Sequence, residues 1–507
     1  MRFIGKDPNI IDAYYTATAE GAITAGKPVI VEADGDVTQV VQSRSVLSTP
    51  SLGTSAEFTG NTGGATPIET VYDANADKFL IFYQERDTGT YYGRAKVATV
   101  SGDSVSFGAA SANMASGAGT GRGYGIFHAG SYDSSAQKIL MVWRNSSNSN
   151  YSTAQVATIS GTTVSFGTSV IFYSNSAKYH RVVYDTNAGK HLVVYGNTTG
   201  RAIGIVATIS GTSVSFGSPA YLSSGATRSD HVGLSYDSNA QKALLVYGDA
   251  DNSNYGTGQV LNIFGTPAEV GAGTAAVFNS ADTQFSEANY QTTAQKHAVL
   301  YADNGGDDYG EGCVATISGT DVTFGSATTF WTAVGSGATP QDIGVTYDSS
   351  ADRTVFAFQN DGGTVTRAVM MAAISGTSIS FSSSVEFVSD SATSVSAKIA
   401  YGSGVDRSLL VYRDTTDGNA GDARTVKSST LSTNLTSENY IGIAADTYAD
   451  NEDSTIGIVG CIDRNQTGLT AGQQYYVQTD GTLSTTAGSP SVLAGTAISA
   501  TELVVKE

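Results

Sequence analysis

Short apolar runs alternate with polar turns along most of the chain, and residues 180–222 show the pattern most clearly. The runs are rich in Val, Ile and Tyr, and turns of Asn, Asp, Gly and Ser separate them. Such runs form strands, and such turns join antiparallel neighbours. The pattern predicts four strands, named A to D in chain order: His180–Tyr184, Lys190–Tyr195, Ala202–Ile209 and Ser213–Leu222.

A tyrosine at the end of strand A recurs through the chain and marks seven repeats. These landmark tyrosines are Tyr72, Tyr132, Tyr184, Tyr236, Tyr290, Tyr347 and Tyr401. Asp follows in five repeats, and every repeat has a cation six residues on and an aromatic residue eleven residues on. Four antiparallel strands in each of seven repeats predict an all-β fold, a seven-bladed β-propeller.

The ends of the repeat region predict how the ring closes. Gly53–Phe58 precedes the first landmark and matches Gly167–Phe172, which contributes to a strand D. The last repeat runs out after Leu431, before a strand D of its own. We therefore expect Gly53–Phe58 to supply the outer strand of the last blade, which removes an unpaired sheet edge.

Outside the repeats, one pattern occurs twice. A Thr-Ala-Gly turn, a strand and an Asp-Gly hairpin turn follow one another in Gly21–Gly35 and again in Gly468–Gly481. The two stretches predict a small split β domain, made of residues 1–45 and 436–507, with the propeller of residues 46–435 inserted between its halves.

Composition excludes several classes of partner. The chain has 46 acidic and 27 basic residues, a net charge of −19, which repels nucleic-acid phosphates. Cys313 and Cys461 are too few for a disulfide framework and are expected to be buried thiols. The sequence has no apolar run of about 18 residues and no apolar signal segment, so no membrane insertion is predicted and synthesis in the cytoplasm is expected.

The terminal segments resemble bacteriophage virion proteins. Gly21–Val41 is similar to a capsid-decoration module of phages. The C-terminal segments resemble the end domain of tail fibres and related structural proteins of marine phages, and they are Asn439–Ala444, Gln466–Val477, Asp480–Gly481, Ser484–Pro490 and Gly495–Ile498. The resemblance implies a virion structural protein, a homo-oligomer bound to other virion proteins and located in the virion.

The loops between strands B and C vary from repeat to repeat, whereas the A–B and C–D turns barely change. Variable loops on a rigid scaffold often carry binding residues. A tyrosine stands nineteen residues past four of the landmarks, and polar residues accompany it. The candidate ligand-binding residues of these loops are Tyr91, Tyr151, Tyr255, Tyr309, Asn150, Asp249, Asp251 and Asp308. Tyrosine beside Asn and Asp suits sugar recognition, so we expect a host glycan or receptor as partner; the alternative is that the tyrosines cover blade edges.

Three histidines stand shortly before strand A ends, at positions expected near the mouth of the central channel. They are His128, His180 and His231, and they complete the set of candidate binding residues. Their spacing matches no known metal-ligand set, and no cofactor motif occurs, so neither a metal nor a cofactor is predicted.

Catalysis is not expected. The sialidase box Ser-x-Asp-x-Gly-x-Thr-Trp, the nucleophile elbow, the Walker loop and HExxH are all missing from the sequence. The prediction is therefore a phage tail fibre or surface adhesin whose propeller contacts host receptor or glycan. Alternatives are a capsid-decoration or head-fibre protein that binds virion subunits alone, a tail nozzle component and a glycosidase.

Overall fold

The computed structural model describes residues 13–44, 47–59, 68–87, 90–109, 114, 128–305, 309–332, 340–360, 366–388, 396–414, 420–428 and 431–506. The side chains of 43–44, 86–87, 90–91, 146, 224–231 and 431–432 are outside this description. The chain forms two compact units, residues 1–46 with 430–507 (the split domain) and residues 47–429 (the repeat domain). Within the described residues, no helix has the length and apolar character needed to cross a bilayer.

Six short strands precede the repeats: β1 (Tyr14–Thr18), β2 (Pro28–Val31), β3 (Val37–Gln39), β4 (Gln42–Arg44), β5 (Ser51–Leu52) and β6 (Ala56–Glu57). Repeat 1 contains β7 (Ile68–Asp73), β8 (Lys78–Asp87), β9 (Thr90–Ser101) and β10 (Ser104–Phe107). Repeat 2 contains β11 (His128–Asp133), β12 (Lys138–Asn145), β13 (Tyr151–Ser160), β14 (Thr163–Phe166) and β15 (Val170–Ser176).

Two long strands connect repeats 3 to 5. Repeats 3 and 4 contain β16 (His180–Asp185), β17 (Lys190–Gly196), β18 (Arg201–Ser210), β19 (Ser213–Phe216), β20 (Ala220–Asp237), β21 (Lys242–Asp249), β22 (Tyr255–Phe264) and β23 (Glu269–Ala272). Repeat 5 contains β24 (Ala276–Gln291), β25 (Lys296–Asp303), β26 (Tyr309–Ser318), β27 (Asp321–Phe324) and β28 (Thr328–Trp331). Strands β20 and β24 each end one repeat and begin the next.

Repeat 6 contains β29 (Pro340–Asp348), β30 (Arg353–Asn360), β31 (Thr366–Ser375), β32 (Ser378–Phe381) and β33 (Val385–Glu386). Repeat 7 contains β34 (Ala397–Gly402), β35 (Arg407–Asp414) and β36 (Ala420–Lys427). The chain then returns to the split domain with β37 (Leu431–Thr433), β38 (Tyr440–Ala444), β39 (Asp453–Gly457), β40 (Ile462–Asp463), β41 (Gln474–Val477), β42 (Leu483–Ser484), β43 (Val492–Ala497) and β44 (Leu503–Val505).

Strands A, B and C of each repeat pair antiparallel in sequence order. In repeat 3, Tyr184 faces His191 across the first pair, and Leu192 faces Val206 across the second. Strand D, predicted as one strand, is instead broken after Phe216, and both parts pair with β18. Pro219 lies in the break and has no N–H to donate to a ladder.

The strands A surround a central channel. Each contacts the strand A of the next repeat, in the order β7, β11, β16, β20, β24, β29 and β34, and β34 contacts β7. This closed cycle, seen in the described part of the chain, is the arrangement that the sequence predicts. The core lies between neighbouring sheets, as in the apolar cluster that joins Phe82 and Val97 of repeat 1 to Met141 and Trp143 of repeat 2.

A glycine after the first part of strand D packs on the C–D turn of the next repeat. A Cβ added to this glycine would lie 1.8 to 2.0 Å from a carbonyl oxygen of that turn in four repeats. The pairs are Gly108 with Thr162, Gly167 with Thr212, Gly273 with Thr320 and Gly325 with Thr377. Because such a contact leaves no space for a side chain, it explains why the glycine and the Ile-Ser-Gly-Thr turn recur together.

The N-terminal segment closes the ring. Strands β5 and β6 both pair with β36, the third strand of repeat 7. A Cβ added to Gly53 would lie 2.2 Å from the carbonyl oxygen of Asp103, so Gly53 repeats the glycine contact toward repeat 1. Phe58 is buried against Tyr83 and Phe107 of repeat 1, with ring centroids 5.1 and 5.8 Å apart.

The A–B turns are stabilised by the aspartate that follows the landmark. The Asp185 carboxylate accepts hydrogen bonds from the N–H groups of Asn187 and Ala188 at 2.9 Å, and it also accepts the hydroxyl of Tyr236 from the next repeat. The sequence also predicts that this aspartate pairs with the cation six residues past the landmark, and in repeat 3 that prediction is wrong. Lys190 instead donates to Thr208 on strand C.

The split domain interleaves the two ends of the chain. Its first sheet has the order β1-β39-β38-β2-β3, and its second has the order β40-β44-β43-β41-β42. Ile30 from the N-terminal half shares a core with Tyr440, Val477 and Leu503. Strand β37 pairs with β4, so the described chain re-enters this domain at Leu431, a few residues before the predicted boundary.

Candidate functional site

The B–C loop of repeat 2 has a closely defined conformation. The side chain of Asn145 accepts the N–H of Ser147 at 3.2 Å and begins a single 3₁₀ turn. Ser149 and Asn150 follow with φ of 53° and 62°, in the left-handed region. Repeat 4 has the same arrangement at Asp249, Asp251, Ser253 and Asn254. Such a loop fixes the position of the first residue of strand C.

The connection from strand D to the next strand A supports these loops. The carbonyl of Asn150 accepts the N–H of Ala177 at 3.4 Å, and the carbonyl of Asn254 accepts the N–H of Thr283 at 3.0 Å. Ala177 and Thr283 are buried. The loop is therefore held from both sides, as a binding surface made of preorganised groups requires.

Repeats 2, 4 and 5 each place a tyrosine opposite an Asn or Asp at the start of strand C. Tyr151, Tyr255 and Tyr309 begin strand C and face Asn145, Asp249 and Asp303 in the antiparallel register. Directly opposed side chains project from the same face of a sheet. The three tyrosines are half-buried, and their hydroxyls form no hydrogen bond within the described part of the chain. Each pair therefore offers a partly exposed ring and polar groups at one point.

The other predicted loop residues have different positions. Asn150 is half-buried and acts through its backbone carbonyl, while Asp251 is exposed and donates its N–H to Asp249. The side chains of Tyr91 and His231, and all of Asp308, lie outside the described residues. The three described tyrosines belong to different repeats, so each pair forms a site of its own.

His128 and His180, which the sequence predicts near the mouth of the channel, have their rings in the core between sheets. Both are buried. His128 packs edge-on against Phe82 at 6.1 Å, and burial lowers its pKa from 6.5 to about 3, with a smaller contribution from Arg144. His180 lies 2.9 Å from the hydroxyl of Ser152 and packs against Phe172. Their side chains serve the core between sheets.

A ring of charged side chains lines the channel. The candidate residues chosen from sequence do not include these side chains. The residue three before each landmark is, in chain order, Glu69, Ala129, Arg181, Gly233, Glu287, Gly344 and Lys398. All except Gly233 line one cavity of about 400 Å³. Small residues at alternate positions leave space for acidic and basic side chains to alternate around the ring.

Glu287 binds both cations of the ring. One of its carboxylate oxygens lies 2.8 Å from Arg181 Nη2 and 3.9 Å from Lys398 Nζ. The carboxyl of Glu69 accepts the N–H of Thr70 but forms no ion pair within the described residues. Desolvation by burial raises the pKa of Glu69 from 4.5 to about 7, against the opposing effect of Lys398. The Glu69 carboxyl is therefore partly protonated near neutral pH.

The substitution Glu69→Gln is expected to stabilise the repeat domain in a pH-dependent way. A carboxyl with a raised folded-state pKa binds its proton more tightly in the folded protein, so stability falls as pH rises from 4.5 through about 7. The variant should be more stable than the parent by about 3 kcal/mol at pH 8 and by less than about 1 kcal/mol at pH 5. Urea unfolding at both pH values measures the difference.

The exposed Glu57 on β6 provides the control, because Glu57→Gln should change stability little at either pH. An advantage of Glu69→Gln that is the same at pH 5 and pH 8 would contradict a buried carboxyl with a raised pKa.

The sequence contained a signal for this ring. At the position three before the landmark, charged residues alternate with Ala or Gly from one repeat to the next, in a strand otherwise rich in apolar residues. Within the described part of the chain, no group of three or more His, Cys, Asp or Glu could hold a metal ion. The ring offers ammonium, guanidinium and carboxyl groups, which suit an organic ligand with hydrogen-bonding groups better than a metal.

Comparisons with known proteins identify the fold. No family model and no curated protein matches the chain. The solved structure of the BP39L lectin from Burkholderia pseudomallei matches 74% of this chain and 98% of its own, with 12% identity and a TM-score of 0.51. The repeat domain is a β-propeller. The Cps50 (Swd1) β-propeller domain of Myceliophteria thermophila matches 75% of this chain and 100% of its own, with 8% identity and a TM-score of 0.44.

Proposed function

We propose that the chain is a carbohydrate-binding protein whose propeller contacts glycans through its B–C loops. The observation that carries the proposal is the repeated pair of a half-buried tyrosine and an Asn or Asp directly opposite it. A sugar presents an apolar face, which stacks on an aromatic ring, and hydroxyls, which bind polar side chains. Several equivalent sites on one chain also allow several sugars of one glycan surface to be held at once.

The aspartates of these pairs have binding capacity left. One carboxylate oxygen of Asp249 accepts the N–H of Asp251, and one of Asp303 accepts the N–H of Gly305 at 2.8 Å. Each carboxylate has two oxygens and about four acceptor sites, so the second oxygen can accept a sugar hydroxyl. The turn thus orients the carboxylate and leaves its second oxygen available to a ligand. The similarity to a solved lectin supports a sugar-binding role on this fold.

The second part of the proposal concerns where the propeller acts. We propose that the split domain attaches the protein to a phage particle and that the propeller faces the host surface. Its support is the resemblance of Gly21–Val41 and Gln466–Val477 to virion proteins. Immunogold labelling of intact particles tests this part: label on the tail supports a receptor-binding fibre, and label over the head alone points to capsid decoration.

Catalysis is not part of the proposal. Glu69 and Glu287 line one cavity, as the acid and base of a glycosidase would. In ring order, however, Arg181 stands between them on one side and Lys398 on the other, and both cations pair with Glu287. The carboxylate that would act as base or nucleophile is therefore already engaged by two cations.

Binding of the intact chain to a glycan array tests the proposed function. The triple variant Tyr151→Ala/Tyr255→Ala/Tyr309→Ala should lose binding to the glycans that the parent selects. Loss of one stacked ring costs about 1 kcal/mol per site, and avidity multiplies the effect across sites. Variants with Phe at the same positions keep the ring and should retain most of the binding.

Tyr221 provides the matched control. It is the most exposed large aromatic residue in the described chain, at 63%, and it lies on β20 rather than in a B–C loop. Tyr221→Ala should bind like the parent. Equal binding by the triple alanine variant and the parent would overturn the tyrosine site, and the absence of any glycan bound by the parent would overturn the proposed function.

A further inference from the structure

The central channel contains a cavity that the proposed function does not use. Its volume of about 400 Å³ lies in the range of small-molecule sites. The charged ring forms part of its wall, and Tyr236 and Tyr290 with the turn residues Ser238 and Thr292 line it toward the A–B turns. The B–C loops lie at the opposite ends of the same strands, so this cavity and the tyrosine pairs are separate.

The cations of the ring have unused hydrogen-bonding capacity. Lys398 carries three N–H donors, and its side chain is 12% exposed. The Glu287 carboxylate oxygen with which it forms an ion pair is 3.9 Å away, which is too far for a hydrogen bond. Lys398 forms no hydrogen bond to any described residue. An ammonium at the wall of a cavity, with few acceptors from the protein, is suited to an acceptor that enters from outside.

Arg181 lies on the other side of the same carboxylate. It donates to Glu287 at 2.8 Å and to the backbone carbonyl of His180 at 3.0 Å, and its side chain is 13% exposed. A guanidinium has five N–H donors, so three remain beyond these two bonds. Arg181 and Lys398 therefore both present donors at the level of Glu287.

The remaining lining suits a small organic body. Val183, Leu234 and Val345 contribute apolar surface, and Asn289 contributes an amide. The amide oxygen of Asn289 already accepts the hydroxyl of Thr354, which leaves its two N–H donors. A ligand of the size of one sugar ring can pack its uncharged part against these walls and place an anionic group beside the charged side chains.

We infer that the channel binds a small organic carboxylate, with the carboxylate held by Lys398 and Arg181 and the body on the apolar wall. The inference is independent of the proposed function, because it uses none of the tyrosine pairs. Two sources share this chemistry, an acidic sugar at the end of a glycan and a free small carboxylic acid.

Glu69 makes this binding dependent on pH. The charged groups around Glu69 are Arg181 on β16, Glu287 on β24 and Lys398 on β34, while Ala129 faces it on β11. With Glu69 protonated, two cations face one carboxylate, and the ring has a spare positive charge. With Glu69 ionised, the charges cancel. Since the pKa of Glu69 is about 7, affinity for a carboxylate should rise as pH falls through neutrality.

Isothermal titration of the intact chain with D-glucuronate, D-glucose and cyclohexanecarboxylate tests the inference. Glucuronate should bind and glucose, its uncharged counterpart, should not. Binding should be about tenfold tighter at pH 6 than at pH 8, as protonation of Glu69 requires. If cyclohexanecarboxylate binds as well as glucuronate, the source is a free carboxylic acid; if it does not bind, the source is an acidic sugar.

Three variants assign the binding to the ring. Lys398→Met should weaken glucuronate binding at least about tenfold, because a hydrogen bond to a charged group is lost. Lys138→Met, at the start of β12, should bind like the parent, and Lys398→Arg should retain binding. The absence of carboxylate binding by the parent, or unchanged binding by Lys398→Met, would overturn the inference. The tyrosine variants should leave this titration unchanged, which separates it from the glycan-array result.

Discussion

The substitution Phe58→Ala is expected to lower the free energy of unfolding of the repeat domain by about 3–5 kcal/mol. Phe58 follows a strand that pairs with repeat 7, yet its ring is buried against Tyr83 and Phe107 of repeat 1. Truncation removes a large apolar contact at the point where the two ends of the ring meet. Urea unfolding followed by tryptophan fluorescence measures the effect, because both tryptophans, Trp143 and Trp331, belong to the repeat domain.

Phe58→Leu provides the control for this prediction. Repeat 3 has Leu222 at the equivalent position, also buried, so a leucine fits the site and should cost less than about 1.5 kcal/mol. A change below about 1 kcal/mol for Phe58→Ala would mean that the ring does not depend on the N-terminal strand for closure.

The substitution His128→Ile is expected to protect the repeat domain against acid. The pKa of His128 is 6.5 in its ordinary state and about 3 when buried in the folded protein, so the unfolded chain binds the proton first as pH falls. Stability contributed by the neutral histidine is therefore intact above pH 6.5 and is lost toward pH 3. The difference between parent and variant should change by about 4 kcal/mol between pH 7 and pH 3.

The repeats supply the design and the control for this variant. The residue equivalent to His128 in repeat 1 is Ile68, which is fully buried, so isoleucine suits the site. Ile68→Val removes one methylene without altering any titrating group, and its cost should be the same at every pH. Parallel pH profiles for His128→Ile and the parent would contradict a histidine held neutral by burial.

The period of the sequence predicted the strands and their pairing because each repeat contains the same alternation and the same turns. Strand D differed, since the sequence pattern continues through Gly217 and Pro219 while the ladder does not. The glycine at this point is required by a close contact with the neighbouring repeat, such as the contact between Gly167 and Thr212. Contacts between repeats are not visible in the alternation within one repeat.

The histidines show why position in a repeat decides burial better than residue type. His128 and His180 occupy the position of Ile68 and Ile343, both buried. The apolar residues of the other repeats already mark that position as internal. A histidine there is therefore a core residue, whatever its capacity to bind ligands.

The charged ring was missed for the opposite reason. Consecutive members of the set Glu69, Arg181, Glu287 and Lys398 lie between 106 and 112 residues apart in sequence, and each looks like an isolated surface charge in its own repeat. They meet because the seven strands A surround one channel. Only comparison of equivalent positions across all repeats, with the ring in view, brings them together. The tyrosine pairs, by contrast, are local to one hairpin and were visible in sequence.

A crystal structure of the intact chain with the oligosaccharide selected on the glycan array tests the central claim most directly. The proposed function predicts a sugar ring stacked on Tyr151, Tyr255 or Tyr309, with a hydroxyl bound to the Asn or Asp opposite. A sugar bound elsewhere on the propeller, with these three rings uncovered, would contradict the account.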